Sequence, residues 1–191
     1  MSRWEPGARE RLVVAAVDLF TEQGYDATTV AQIADRAGVT KSTFFRHFPD
    51  KRELLAAGQE AMSRLLTEGI AEAPATATPL EAVANGLERA ATVMGPMNRE
   101  LAPRLKAAIA ASTELQERDA LKTVGLTAAM AEALTARGIA DPVAALAAEL
   151  GALAFKRGFV TWSESDRPTD PFAPHALAAL AELRAASSSL G

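Results

Sequence analysis

An all-α fold is predicted by three observations. Apolar residues recur at helical spacing in segment after segment, and neither a strand-like alternation nor an internal repeat interrupts them. The chain is 49% hydrophobic yet only 5% aromatic, and its abundant alanine suits closely packed helices rather than a sheet sandwich. The joints between periodic segments carry recognisable caps and breakers, which divide the 191 residues into about nine helices. They are expected to form a small three-helix domain over 1–51 and a larger helical domain over 52–191.

The first helix is expected over 7–23. Leu12, Ala15, Ala16, Leu19 and Phe20 form its apolar face and Gly24 ends it. Arg3 and Trp4 precede it as a short, fraying arm. Thr29 is an N-cap, and Gln32 three positions later completes a capping-box pattern. Val30, Ile33, Ala34 and Ala37 make one stripe. Gly38 can end that helix in a left-handed conformation, and Val39 fills the corner. Thr40 caps a third helix of two turns, which Pro49 closes.

Two short helices joined by a tight turn are the layout of a helix-turn-helix, whose second helix enters the DNA major groove. At about 100° per residue, Phe44 and Phe48 form the core-facing stripe of that helix. Arg46 lies opposite, flanked by Ser42 and Thr43, with His47 at the edge and Lys41 projecting from the first turn. Hydroxyls, a guanidinium and an imidazole without an acid among them suit bases and phosphates. On spacing alone, a solvated surface helix fits as well.

The remaining helices are set by their punctuation. Asp50 is expected to cap a long fourth helix from Lys51 to Ala71, a lever between the two domains. The loop 72–79 leads to a fifth helix over 80–94, with Thr78 or Pro79 at its start, and Gly95-Pro96-Met97-Asn98 ends it. A short sixth helix near 99–111 would hold Pro103 in its first turn. The seventh spans 113–136 and stops at Arg137-Gly138. Asp141 caps the eighth, with Pro142 at its first position, running to Trp162. The ninth spans 174–186.

The run from Arg11 to Leu55 resembles the N-terminal domain of the TetR family of transcriptional regulators. The resemblance is carried by Ala15-Ala16, Leu19-Phe20, Gly24-Tyr25, Thr28-Thr29-Val30, Ile33-Ala34, Ala37-Gly38-Val39, Thr43-Phe44-Phe45-Arg46-His47-Phe48, Lys51 and Leu54-Leu55. Beyond it, the chain resembles the family only in length and helical character. The resemblance implies a TetR-like all-α fold, with a helix-turn-helix domain followed by an effector-binding and dimerisation domain. It also implies that Lys41, Ser42 and Thr43 approach base edges. Thr29, Phe45, His47 and Lys51 would approach phosphates or position the helix. The family usually has Tyr where this chain has Phe45, so a phosphate contact through that hydroxyl is not inherited. Phe45 is expected instead to pack against a sugar edge or the domain core.

In the larger domain, Ala144, Ala147, Ala148, Gly151 and Ala154 interleave with Leu146, Leu150 and Leu153, and Leu177, Leu180 and Leu183 lie on the last helix. Such a surface builds either an intrachain core or a four-helix interface between two chains. The resemblance favours a homodimer through helices near 142–162 and 174–186. Its recognition helices would lie about 34 Å apart on a pseudopalindromic operator. Met62, Leu65, Leu66, Leu87, Met94, Met97, Leu101, Leu105, Leu121, Val124, Phe155, Phe159 and Trp162 are candidates for either plain core or the lining of an effector pocket. The resemblance raises the second reading, with a small apolar or amphipathic effector that shifts the population of DNA-binding geometries.

Net charge is −4. Residues 1–52 carry eight Lys/Arg against seven Asp/Glu, and 53–191 carry twelve against seventeen. Near-neutrality around the helix-turn-helix predicts weak, salt-sensitive non-specific DNA binding and makes two DNA-binding units a requirement for tight binding. With no cysteine and two histidines, no nucleophile elbow, phosphate-binding glycine loop or histidine-pair metal motif can be read. An enzyme, a cofactor and a metal are therefore not expected. The first eleven residues have no apolar signal-peptide core and the longest charge-free run is short, so a cytoplasmic protein without a membrane segment is expected. The expected function is a ligand-responsive repressor. The alternative is a helical architectural or interaction protein that uses the helix-turn-helix without ligand control.

Overall fold

The computed structural model describes residues 7–167 and 169–189; the expected arm at Arg3 and Trp4 lies outside them. Among the described residues there are nine α-helices and one 3-10 turn. Two compact units share them: residues up to Ala57 with Glu100–Leu121, and Gly58–Arg99 with Lys122 onward.

The first unit begins with α1 (Ala8–Gln23), α2 (Val30–Arg36) and α3 (Lys41–His47). Their boundaries obey the local signals. Gly24 takes φ 85° and returns its N–H to the Phe20 carbonyl. Thr29 and Gln32 close a reciprocal capping box. Gly38 sits at φ 67°, a left-handed conformation without Cβ cost, so Val39 can donate back to the Ala34 carbonyl at 2.9 Å. Residues 1–51 do not complete this unit by themselves, because Ala108 and Leu115 enter the same core as Leu12, Phe20, Ile33, Phe44 and Phe48. Arg104 pairs with Asp18, the Tyr25 hydroxyl donates to Glu114 Oε1 at 2.7 Å, and Arg118 meets Glu53 through two bonds of 3.0 Å.

The fourth helix does not start at Lys51. Asp50 does cap, accepting from the N–H groups of Arg52 and Glu53, but the element it opens is the 3-10 turn Arg52–Ala56. That turn buries Leu54 and Leu55 in the first core. Gly58 then adopts φ 84°, which breaks the helical path, and α4 runs only over Gln59–Glu72.

α5 (Pro79–Ala91) opens on a Thr78/Glu81 capping box. It crosses α4 at contact distance: a Cβ on Gly69 would lie 2.7 Å from the Asn85 carbonyl oxygen, and one on Gly86 would lie 2.8 Å from that of Leu66. α6 spans Pro96–Ala110, so Pro103 sits in its interior rather than its first turn; Pro96 and the Asn98 side chain, which accepts from Gly95, start the helix earlier than expected. α7 is Thr113–Ala136. α8 is Asp141–Ser163, with Ala140 rather than Asp141 at the cap, and α9 is Phe172–Ser187. α8 lies over α5 and α7 at Gly151, beside Val83 and Met130, and meets α9 at Gly158, where a Cβ would fall 2.6 Å from the Ala176 Cα.

One side chain closes the end of α4. The Arg137 guanidinium donates to the carbonyls of Ile70, Ala71, Ala73 and Pro74 at 2.7–3.1 Å. Carbonyls at a helix C-terminus have no intrahelical partner. Arg137→Ala should therefore lower stability by about 2 kcal/mol, read as a shifted urea midpoint with an unchanged slope; a midpoint equal to that of the parent would show that water replaces the guanidinium at no cost.

Candidate nucleic-acid interface

The capping of α3 decides what it shows to solvent. Thr40 accepts from the Thr43 N–H at 3.1 Å, and the two hydroxyls share a 3.0 Å hydrogen bond. Phe44 is fully buried, with Phe48 beside it at 5.9 Å and Phe45 edge-on at 5.4 Å. With the rings of Phe44 and Phe48 pinned, Lys41, Ser42, Phe45 and Arg46 are exposed, while Thr43 and His47 are half-buried. Thr29 is exposed at the start of α2.

For Phe45 and Lys51, each with two expected roles, the structure bears on which one applies. Phe45 does not pack into the core: its ring is 56% exposed and stands on the edge of Phe44. It is bulky and lies three residues from Ser42 on the outer side of the helix, where the inner volume is already filled by Phe44 and Phe48. Lys51 faces inward. Its Nζ donates to the carbonyls of Tyr25 at 2.7 Å and Thr28 at 3.0 Å, and rests 3.9 Å from the centre of the Tyr25 ring. It fastens the segment after α3 to the α1–α2 corner. The Tyr25 hydroxyl in turn has its pKa pushed up, first by burial and then by its hydrogen bond to the Glu114 carboxylate.

The charge of the unit is thereby sorted. Arg36 is held bidentately by Glu22, Arg52 by Asp50, and Arg9 lies over the Phe48 ring. The Glu22 carboxyl is held below its usual range by the hydrogen bond from Arg36. Lys41 and Arg46 make no ion pair among the described residues, so the cations on the outer face of α3 are the uncommitted ones.

Residues 12–57 match the family described as "Bacterial regulatory proteins, tetR family". The segment that carries the helix-turn-helix is thus of the tetR type, and the match covers about a quarter of the chain. TetR-family relatives repeat the N-terminal match. The HTH-type transcriptional regulator TcmR of Streptomyces glaucescens is 39% identical over 75 residues, covering 39% of this chain and 33% of that protein. The HTH-type transcriptional activator FasR of Mycolicibacterium smegmatis is 39% identical over 70 residues, covering 37% and 32%. The alignments thus span about a third of these relatives' length. The HTH-type transcriptional repressor KstR of Mycobacterium tuberculosis is 29% identical over 137 residues, covering 70% of this chain and 59% of that protein. The fold of nearly the whole chain is shared with a transcriptional regulator from Aquifex aeolicus, at TM-score 0.54 and 20% identity over 94% of this chain and 99% of that one. A structure from Syntrophomonas wolfei provisionally assigned to the TetR family gives TM-score 0.63 and 18% identity over 96% of both.

The expected pocket residues are divided between the two units. Leu101, Leu105 and Leu121 belong to the first unit, and the other ten to the second. Leu121 and Val124 are 63% and 64% exposed. Leu66, Leu87 and Trp162 are buried in the second core, with Met62, Leu65, Met94, Phe155 and Phe159 half-buried against it; Met97 is half-buried at the start of α6. Phe155 packs edge-on to Phe172 and Phe159 tilts over Trp162, while the indole N–H donates to the Asp170 carbonyl. A groove of about 500 Å³ opens elsewhere, lined by Pro74, Thr76, Ala77, Glu81, Ala84, Asn85 and Glu88. None of the thirteen borders it. No described helix is long and apolar enough to cross a membrane.

Proposed function

We propose that this chain is a DNA-binding transcriptional regulator of the cytoplasm that occupies a pseudopalindromic operator as a homodimer and acts as a repressor released by a small effector. The reading rests on one observation above others: α3 is capped and anchored so that Lys41, Ser42 and Arg46 are exposed, with the two cations uncommitted. Lys41 and Ser42 at the helix start would meet base edges, Arg46 a guanine edge or a phosphate, and Thr29 and His47 the flanking backbone. Lys51 would act by holding α3 in place.

For the dimer, the support is the outer face of α8. Val143, Leu146 and Leu153 are exposed there, on the side away from the buried Ala144, Ala147, Ala148, Gly151 and Ala154. For effector control the support is the half-buried Met62, Leu65, Met94, Phe155 and Phe159, which could reshape around a small apolar or amphipathic molecule. An effector acts only through its different affinities for the DNA-competent and incompetent states.

Arg46→Ala should weaken binding to a selected operator about tenfold or more and lower the salt dependence by about one released counterion. Fluorescence anisotropy across a salt series measures both. Equal affinity for operator and random DNA at fixed salt would overturn sequence-specific regulation.

A further inference from the structure

Phe45 is the one side chain on the outer face of α3 that the polar chemistry of DNA does not explain. It is 56% exposed, and among residues 7–57 it is the large apolar side chain left in solvent, while Leu12, Leu19, Phe20, Tyr25, Ile33, Phe44, Phe48, Leu54 and Leu55 are all buried. On the helix it stands next to Arg46 and one turn from Ser42, both exposed. The ring cannot donate a hydrogen bond, so it has nothing to offer a phosphate. Setting it against an anionic oxygen would strip that oxygen of water without replacement. The apolar group that a base edge presents in the major groove is the thymine C5-methyl. The ring stands edge-on against the buried Phe44, 5.4 Å between centroids, on one side of the helix.

We propose that Phe45 reads a thymine methyl in each half-site, beside the bases approached by Ser42 and Arg46. This inference rests on the DNA-binding reading given above and adds to it a sequence preference: one thymine per half-site, in register with the outer face of α3. Removing that methyl withdraws about one buried carbon from the contact, which is worth ~4-fold in affinity per half-site and ~15-fold for a symmetric pair.

The test uses the full chain and two DNA pools. Operators are first selected from random DNA, and each thymine of the selected site is then replaced singly, and in symmetric pairs, by deoxyuridine, which differs only in the methyl. Affinities are measured for the parent protein, Phe45→Ala and, as a control for general loss of binding, Arg46→Ala. The expected result is one symmetric thymine pair whose replacement weakens the parent about tenfold or more. The same replacement should change Phe45→Ala by less than twofold, while Arg46→Ala keeps the uracil penalty. Indifference of the parent to every deoxyuridine overturns the methyl contact, and this arm needs no variant to fold. An equal penalty in the parent and in Phe45→Ala, with a normal melting curve for the variant, overturns the assignment to Phe45. If selection enriches no sequence at all, the DNA-regulator reading fails as well, and the two failures are told apart at that first step.

Discussion

Phe44→Ala should cost the first unit about 3–5 kcal/mol and abolish DNA binding without touching a DNA-facing atom. Phe44 is fully buried, packs against the Phe48 ring, and supports the outward-facing Phe45 edge. Its removal opens a ring-sized cavity where α1, α2 and α3 converge, in the core it shares with Leu12, Phe20, Ile33 and Phe48. α3 has only seven residues and cannot persist by its own hydrogen bonds, so it depends on that packing. The second unit has a separate core, built on Leu66, Ile70, Leu87, Met130 and Trp162, which does not include Phe44. Hydrogen exchange resolved by segment should show amide protection in 8–48 falling about a hundredfold or more, with 142–162 holding its protection. Protection within threefold of the parent in 8–48 would show that the neighbouring rings refill the cavity.

Which parts of this architecture are legible in the sequence depends on how local their causes are. Thr29 with Gln32, Gly38, Thr40 and Thr78 with Glu81 each set a helix boundary through bonds to residues at most five positions away, and each boundary is visible as a short pattern. The buried stripe of α3 is equally local, being a matter of 100° per residue. The break before α4 is hidden because Gly58 lies in an otherwise helical run, while the turn just before it buries Leu54 and Leu55 in the first core. The partnership of 100–121 with the helix-turn-helix is invisible for a different reason. Tyr25 and Glu114, Arg104 and Asp18, and Arg118 and Glu53 are separated by 65–89 positions, and no periodicity links them. Lys51 illustrates the same limit at the site. Its charge and position in the family motif suggest a phosphate contact, yet two backbone carbonyls and the Tyr25 ring occupy it. Phe45 shows the converse. Its apolar character suggests packing, and the full occupancy of the interior by Phe44 and Phe48 turns it outward.

The second large effect is expected from the double substitution Leu146→Glu with Leu153→Glu. The small residues of α8 that suggest a close interchain contact, from Ala144 to Ala154, are spent inside the chain, where Gly151 and Gly158 bring α8 against α5, α7 and α9. What α8 leaves outside is a row at i, i+3 and i+10: Val143 at 48%, Leu146 at 60% and Leu153 at 43% exposure. On α9 the exposed Pro174, Ala178, Ala181 and Ala185 leave a shallow surface that another helix can approach closely. Placing two carboxylates in that row leaves the intrachain core intact, because neither leucine is buried in it. In a twofold interface each substitution is met by its own copies, so four charges would be forced out of water together. The double variant should therefore be monomeric at micromolar concentration by light scattering, with the thermal stability of the parent monomer. Operator affinity should fall by at least about a hundredfold, since each recognition helix then binds without the other's effective concentration. Conversely, a variant that stays dimeric and binds the operator as the parent does would move the interface away from α8.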